Sequence, residues 1–118
     1  MTEADNIPFM DLRPLNDTVE IKQAVTEVIN SGSFILGPKL DEFEKKSANF
    51  AKSRFGIGVG NGFDALVLVM KAFNIKEGDE IVVPAFSFVA SWDAVLACGA
   101  RLVPVDIDPQ TRCMNTEL

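Results

Sequence analysis

The chain contains no histidine. That absence removes a Ser-His-Asp triad, a Cys-His pair and every histidine-ligated zinc site together. Cysteine is nearly as scarce. Cys98 and Cys113 lie far apart and neither belongs to a CxxC, so they read as buried or idle thiols of a cytoplasmic chain. Basic residues are in the minority, 11 Lys and Arg against 17 Asp and Glu, for a formal charge of −6 with no basic cluster. Nucleic-acid partners need clustered Lys and Arg, so none is expected, and the acidity serves solubility. Long apolar runs are missing too. Ile81 to Ala85 and Ala65 to Met70 fall far short of the roughly 20 residues of a membrane helix. The opening MTEADNIPFMDLRPL has acids and a proline where a signal peptide has a basic and then an apolar run. The expectation is a cytoplasmic protein without a membrane partner.

What is present is ordinary for a globular protein: 118 residues, 47% apolar and 24% charged, enough for one small domain with its own core. The first 15 residues lack periodicity and read as an extended arm. Asn16, Asp17 and Thr18 then offer N-caps to a helix from Val19 to Asn30, with Ile21, Val25, Val28 and Ile29 on one face. Ser31-Gly32-Ser33 stops it, and Phe34-Ile35-Leu36 is a short apolar stretch closed by Gly37-Pro38. Pro38 suits the start of a second helix, Lys39 to about Ser53, with Leu40, Phe43, Ala48 and Phe50 or Ala51 inward.

From Arg54 the pattern changes. Phe55 to Val59 reads as a strand, Asn61 to Phe73 as an apolar helix, and Glu77-Gly78-Asp79 as a turn. Glu80 to Val83 is a second strand, Phe86 to Cys98 a helix, and Arg101 to Val105 a third strand. Strand–helix–strand–helix–strand with short connectors predicts an α/β layer with a parallel sheet. Residues 1–53 thus form an arm and two helices, and 54–118 a βαβαβ unit. Both helices of that unit are apolar on most faces and are expected to be deeply packed. Three strands fall below the roughly 4–6 of a typical sheet, and Asn115-Thr116-Glu117 resembles another helix start. A truncated domain is the expectation.

Two turns could carry chemistry. Gly58-Val59-Gly60-Asn61-Gly62-Phe63-Asp64 follows a strand and opens a helix, where unpaired N–H groups and the helix dipole favour a phosphate. It does not fit the dinucleotide fingerprint: Phe63 stands where GxGxxG needs its last glycine, and no acid ends the second strand. No Walker lysine follows Gly62 either. A phosphate monoester suits it better, although a plain strand-to-helix turn has the same spacing. The second turn, Val83-Pro84-Ala85-Phe86-Ser87-Phe88-Val89-Ala90-Ser91, belongs to the same carboxyl edge, where open α/β sheets bind ligands. Phe86 and Phe88 could present a flat face to a planar ring or serve as core plugs.

Read together, five segments resemble the DegT/DnrJ/EryC1/StrS family of sugar aminotransferases. They are IPFMDL at Ile7 to Leu12, SGSFILGPKLDEFE at Ser31 to Glu44 and GVGNGFDAL at Gly58 to Leu66. GDEIVVPAFSFVAS at Gly78 to Ser91 and GARLVPVDIDPQT at Gly99 to Thr111 complete them, in the family's order along nearly the whole chain. The resemblance implies the N-terminal part of a fold-type-I large domain that uses pyridoxal 5′-phosphate and works as a homodimer. Such enzymes move an amino group, commonly from glutamate as the amino-acid donor, to a nucleotide-linked keto-sugar. By the same likeness, Asn61, Gly62, Phe63 and Asp64 match the stretch that holds the cofactor phosphate, and Phe88 the aromatic stacked on its ring.

The chain departs from the family in two places. Phe63 stands where threonine or serine is frequent and supplies only its backbone N–H. The family's aspartate for the pyridine nitrogen and its cofactor-anchoring lysine are expected beyond residue 118, since Lys71 and Lys76 match no catalytic position. Alternatives of the same reading are a sugar dehydratase of this family, with that lysine replaced, and a remnant that binds without turnover.

Overall fold

The computed structural model describes residues 9–13 and 17–116. Most of the expected arm, and the end of the expected helix start at Asn115 to Glu117, lie outside them. The rest divides at Gly58–Val59 into an N-terminal and a C-terminal compact unit.

The N-terminal unit holds two helices. α1, Val19–Ser31, is capped by Thr18, whose Oγ1 accepts from the Ile21 N–H at 3.3 Å. It ends at Gly32, whose φ of +66° lets its N–H reach the Val28 and Ile29 carbonyls. α2, Pro38–Ala51, starts with proline at its first position and ends on Lys52, itself left-handed at φ +53°. Its expected inner face needs correction. Phe43, Ala51 and Phe50 are exposed, Phe50 at 93%, and Ala48 alone is buried. The inner stripe is instead Leu40, Glu44 and Ala48, spaced four apart on one side. The α1 face is also more open than expected, with Val28 half-buried and Ile21, Val25 and Ile29 exposed. Small residues explain the α2 shift. Gly56 and Gly58 come so close to that stripe that a Cβ would lie 2.5 Å from the Glu44 carbonyl oxygen and 2.3 Å from Leu40 Cδ1 respectively. A row of phenylalanines would hold the backbone away.

The expected strand at Phe55 to Val59 does not form, and Phe55 and Ile57 are exposed. A strand exists through its ladder, and among the described residues this segment has no ladder partner. The βαβαβ expectation reduces here to αβαβ.

The C-terminal unit runs α3 (Gly62–Ala72), β1 (Glu80–Pro84), α4 (Ala90–Ala97) and β2 (Arg101–Val105). The strands pair in parallel, Glu80 opposite Arg101 through Pro84 opposite Val105. Two more bonds extend the ladder: Arg101 N–H to the Asp79 carbonyl and Ala85 N–H to the Val105 carbonyl, at 2.8 and 2.7 Å. The turn before β1 is where it was expected, with Gly78 at φ +95° and Asp79 accepting from the Lys76 N–H. α4 begins four residues later than expected, because Ala85 to Val89 are used in leaving the sheet.

The core is Val83, Val95 and Ala100, with Met70, Ile75, Ile81, Trp92 and Leu102 packed around it. Val95 is 1% exposed. Deep packing of both helices holds only for α4, which buries Ala94 and Val95. α3 buries no residue and leaves Leu66, Leu68 and Val69 open, since a two-stranded sheet and one helix offer too little surface to cover every apolar face. After β2, Ile107 bridges Met114 in antiparallel fashion around a turn in which Asp108 Oδ1 accepts from the Gln110 and Thr111 N–H groups. Both cysteines are free. Among the described residues no helix is long and apolar enough to cross a membrane.

Candidate functional site

The first turn is organised by Asn61, the N-cap of α3. Its Oδ1 accepts from the Asp64 N–H at 2.9 Å, and its Nδ2 donates to Asp64 Oδ2 at 3.1 Å. Only the first of these bonds has a backbone donor, as at an ordinary asparagine N-cap. It satisfies one of the orphan donors of the helix start. The N–H groups of Gly62 and Phe63 have no acceptor among the described residues. Two adjacent donors at the positive end of a helix suit an anion.

The glycines of this stretch divide by role, which their spacing could not show. Gly56 and Gly58 are close-approach residues against α2, and Gly60 lies under Asp64, whose Oδ2 would be 2.7 Å from a Cβ there. Only Gly62 faces open space, with nothing within 4 Å of a Cβ position. Of the glycines in the turn, Gly62 is therefore the one with room beside it for an anion. Sequence reading also missed Glu44, whose Oε1 accepts from the Gly58 N–H at 2.7 Å. The signal was the Leu40-Glu44-Ala48 spacing.

In the second turn Ala85 to Val89 are all exposed, and Phe88 is 77% exposed. Neither Phe86 nor Phe88 is a core plug. The turn is held by hydrogen bonds: Trp92 Nε1 donates to the Pro84 carbonyl at 3.1 Å, the Ser91 N–H to the Phe88 carbonyl at 3.0 Å, and the Ser87 and Ser91 hydroxyls pair at 3.0 Å.

Both turns occupy one edge of the unit. The Cys98 thiol, just past α4, donates to the Val67 carbonyl in α3, and a Cβ on Gly99 would lie 3.8 Å from the Glu77 nitrogen. The end of α4 therefore packs on the middle of α3 and on the loop that follows α3, the side from which Asp79 and Arg101 start the strands. The leading ends of α3 and α4 lie at the opposite edge, beyond the carboxyl ends of the strands. The structure joins Asn61, Gly62, Phe63 and Asp64 in one turn; no hydrogen bond, ion pair or ring contact connects Phe88 to it.

The model of the DegT/DnrJ/EryC1/StrS aminotransferase family matches residues 16–118. The chain belongs to that family. Among curated relatives of this DegT-family chain, dTDP-3-amino-3,6-dideoxy-alpha-D-galactopyranose transaminase of Aneurinibacillus thermoaerophilus is 42% identical over 94% of this chain and 31% of its own. A DegT DnrJ EryC1 StrS aminotransferase from Brucella abortus superposes with a TM-score of 0.88 at 35% identity, over 95% of this chain and 31% of that one. NtdA of Bacillus subtilis, solved with bound PMP, gives 0.86 at 39% identity, over 98% and 27%. The chain thus spans about three-tenths of the length of the relatives it matches.

Proposed function

We propose that this chain supplies the cofactor-phosphate turn and ring platform of a pyridoxal-phosphate-dependent aminotransferase, which moves an amino group from glutamate to a nucleotide-linked keto-sugar. The observation that carries the reading is the pair of unsatisfied N–H donors at Gly62 and Phe63, on one of the segments in which the sequence resembles its family. Their fit to a phosphate is chemical: two donors, a helix dipole and open space at Gly62. Asn61 fixes the turn, and Asp64 closes it through the Asn61 amide. Phe88, exposed at the same edge, presents a ring face against which a planar heterocycle stacks. Pyridoxal phosphate, when bound, supplies the electron sink that allows an amino group to be exchanged. Residues 54–118 form the cofactor face and 1–53 the arm and helices. The reading includes a cytoplasmic homodimer, as the family resemblance implies.

The test separates the phosphate grip from turnover. Phe63→Pro deletes one donor at a first-turn position that tolerates proline. In the protein at its full expressed length, it should weaken pyridoxamine phosphate binding about ten-fold or more, because bonds to charged groups are the stronger class. Wild-type protein given glutamate and a keto-sugar nucleotide should yield an amino-sugar nucleotide. Undiminished binding by the proline variant overturns the phosphate assignment. A sugar product that has lost a hydroxyl and gained no nitrogen moves the protein to the dehydratase branch.

A further inference from the structure

Trp92 is the chain's single tryptophan, and its two ends lie in different surroundings. The ring body packs on the core around Val83, Val95 and Ala100, while Nε1–H reaches out of the helix to the Pro84 carbonyl at 3.1 Å. That bond spans eight residues and ties the end of β1 to the first turn of α4. Everything between, Ala85 to Val89, is exposed, so no packing fixes its shape. Phe88 hangs in this bridge. Its own carbonyl is held by the Ser91 N–H, and the neighbouring Val89 carbonyl accepts from the backbone N–H of Trp92. Trp92 thus grips the span at both margins, by its backbone on the helix side and its indole on the strand side.

We propose that Trp92 is a positioning residue for the Phe88 ring, acting as a clasp that holds the exposed turn in the conformation that receives a planar ligand. The inference rests on the assignment of Phe88 as a stacking platform. An unclasped turn would sample other conformations, and ordering it on binding would lower affinity.

The experiment is a double-mutant cycle on pyridoxamine phosphate binding, measured by equilibrium dialysis with protein of full expressed length. Trp92→Phe keeps an aromatic body in the core and deletes the donor; Phe88→Leu removes the platform. The expected result is an affinity loss of about five-fold for Trp92→Phe, the factor that one neutral hydrogen bond represents. In the Phe88→Leu background the same change should have no further effect, the non-additivity of residues acting through one contact. Near-ultraviolet and far-ultraviolet circular dichroism report whether each variant is folded. If Trp92→Phe unfolds the protein, benzothienylalanine incorporated at position 92 replaces it, keeping the bicyclic ring in the core and deleting only the donor to Pro84, with the same expectation. An equal loss in both backgrounds, or none in either, overturns the clasp and leaves the platform standing. Full-strength binding by Phe88→Leu removes the platform itself, and the clasp with it.

Discussion

Four glycines within seven residues, Gly56, Gly58, Gly60 and Gly62, look alike in sequence, and alanine at each should give a different result. At Gly56 a Cβ would sit 2.5 Å from the Glu44 carbonyl oxygen, 3.2 Å from the Glu44 carbonyl carbon and 3.4 Å from the Ala48 nitrogen. All three are main-chain atoms of α2 and cannot rotate away. The new methyl is about 1 Å short of ordinary contact, so the segment must lift off the helix. Overpacking costs roughly 1–3 kcal/mol, and Gly56→Ala belongs at the upper end. At Gly58 the nearest atom is closer, 2.3 Å, but it is the tip of Leu40, and a rotamer change relieves it for about 1–2 kcal/mol. Gly62 is helical with open space around it, so alanine there should stabilise by about 0.5–1 kcal/mol through reduced unfolded-state freedom. Urea midpoints followed at 222 nm, with unchanged m-values, give the order directly. The expected sequence is Gly56→Ala below Gly58→Ala, below wild type, below Gly62→Ala. A Gly56→Ala protein as stable as wild type, or a Gly62→Ala protein less stable than Gly58→Ala, would refute the division of these glycines into packing and open positions.

Asn61→Ala removes the α3 cap and should cost about 1 kcal/mol, read as a shift in the same urea midpoint. Glu44→Ala deprives the Gly58 N–H of its acceptor and should cost roughly 1–3 kcal/mol, whereas Glu44→Gln keeps an acceptor oxygen and should recover most of it. Val95→Ala, at the most enclosed large side chain, should cost about 2 kcal/mol from two lost methyls and a small cavity. The Lys39 ammonium beside Glu27 holds that carboxyl below its usual value. A depressed folded-state pKa contributes stability above the ordinary carboxylate range and loses it as pH falls through the lowered value, so an NMR titration should show Glu27 protonating later than an unpaired glutamate.

The helices and their stops were legible because they are local. Thr18, Gly32, Pro38, Asn61 and Gly78 act within a few residues of themselves, and β1 and β2 lie within one residue of the reading. The misreadings concern partners. Phe55 to Val59 has strand composition, but a strand is a property of two segments, and among the described residues this one has no ladder. Phe43, with Phe50 or Ala51, reads as inward by apolar spacing along the helix. The inner side of α2 is set instead by how closely Gly56 and Gly58 approach, a contact 12 or more residues away. At the site, the capping turn was legible as a helix start, and the division of its glycines was not. Trp92 went unnoticed because its role depends on one carbonyl at the end of another element.

On the proposed reading, an acidic chain has to hold a phosphate without cationic side chains. Neither Gly58 to Asp64 nor Val83 to Ser91 contains a lysine or arginine, so the attraction must come from backbone dipoles. The formal charge of −6 opposes an anion, but it acts largely through solvent, screened over about 10 Å at 0.1 M salt. Amide hydrogens act at contact, near 3 Å, where screening is slight. The local term therefore prevails, provided the donors stay free and aligned. Asp64 is the one negative group on the turn, and the same helix terminus attracts it. Asn61 reconciles the two. Its amide engages the Asp64 carboxylate while its oxygen takes the third amide of the helix, leaving the Gly62 and Phe63 N–H groups without an acceptor among the described residues. Capping and the proposed phosphate grip thus have one origin, a single asparagine whose two polar atoms point in opposite electrostatic senses.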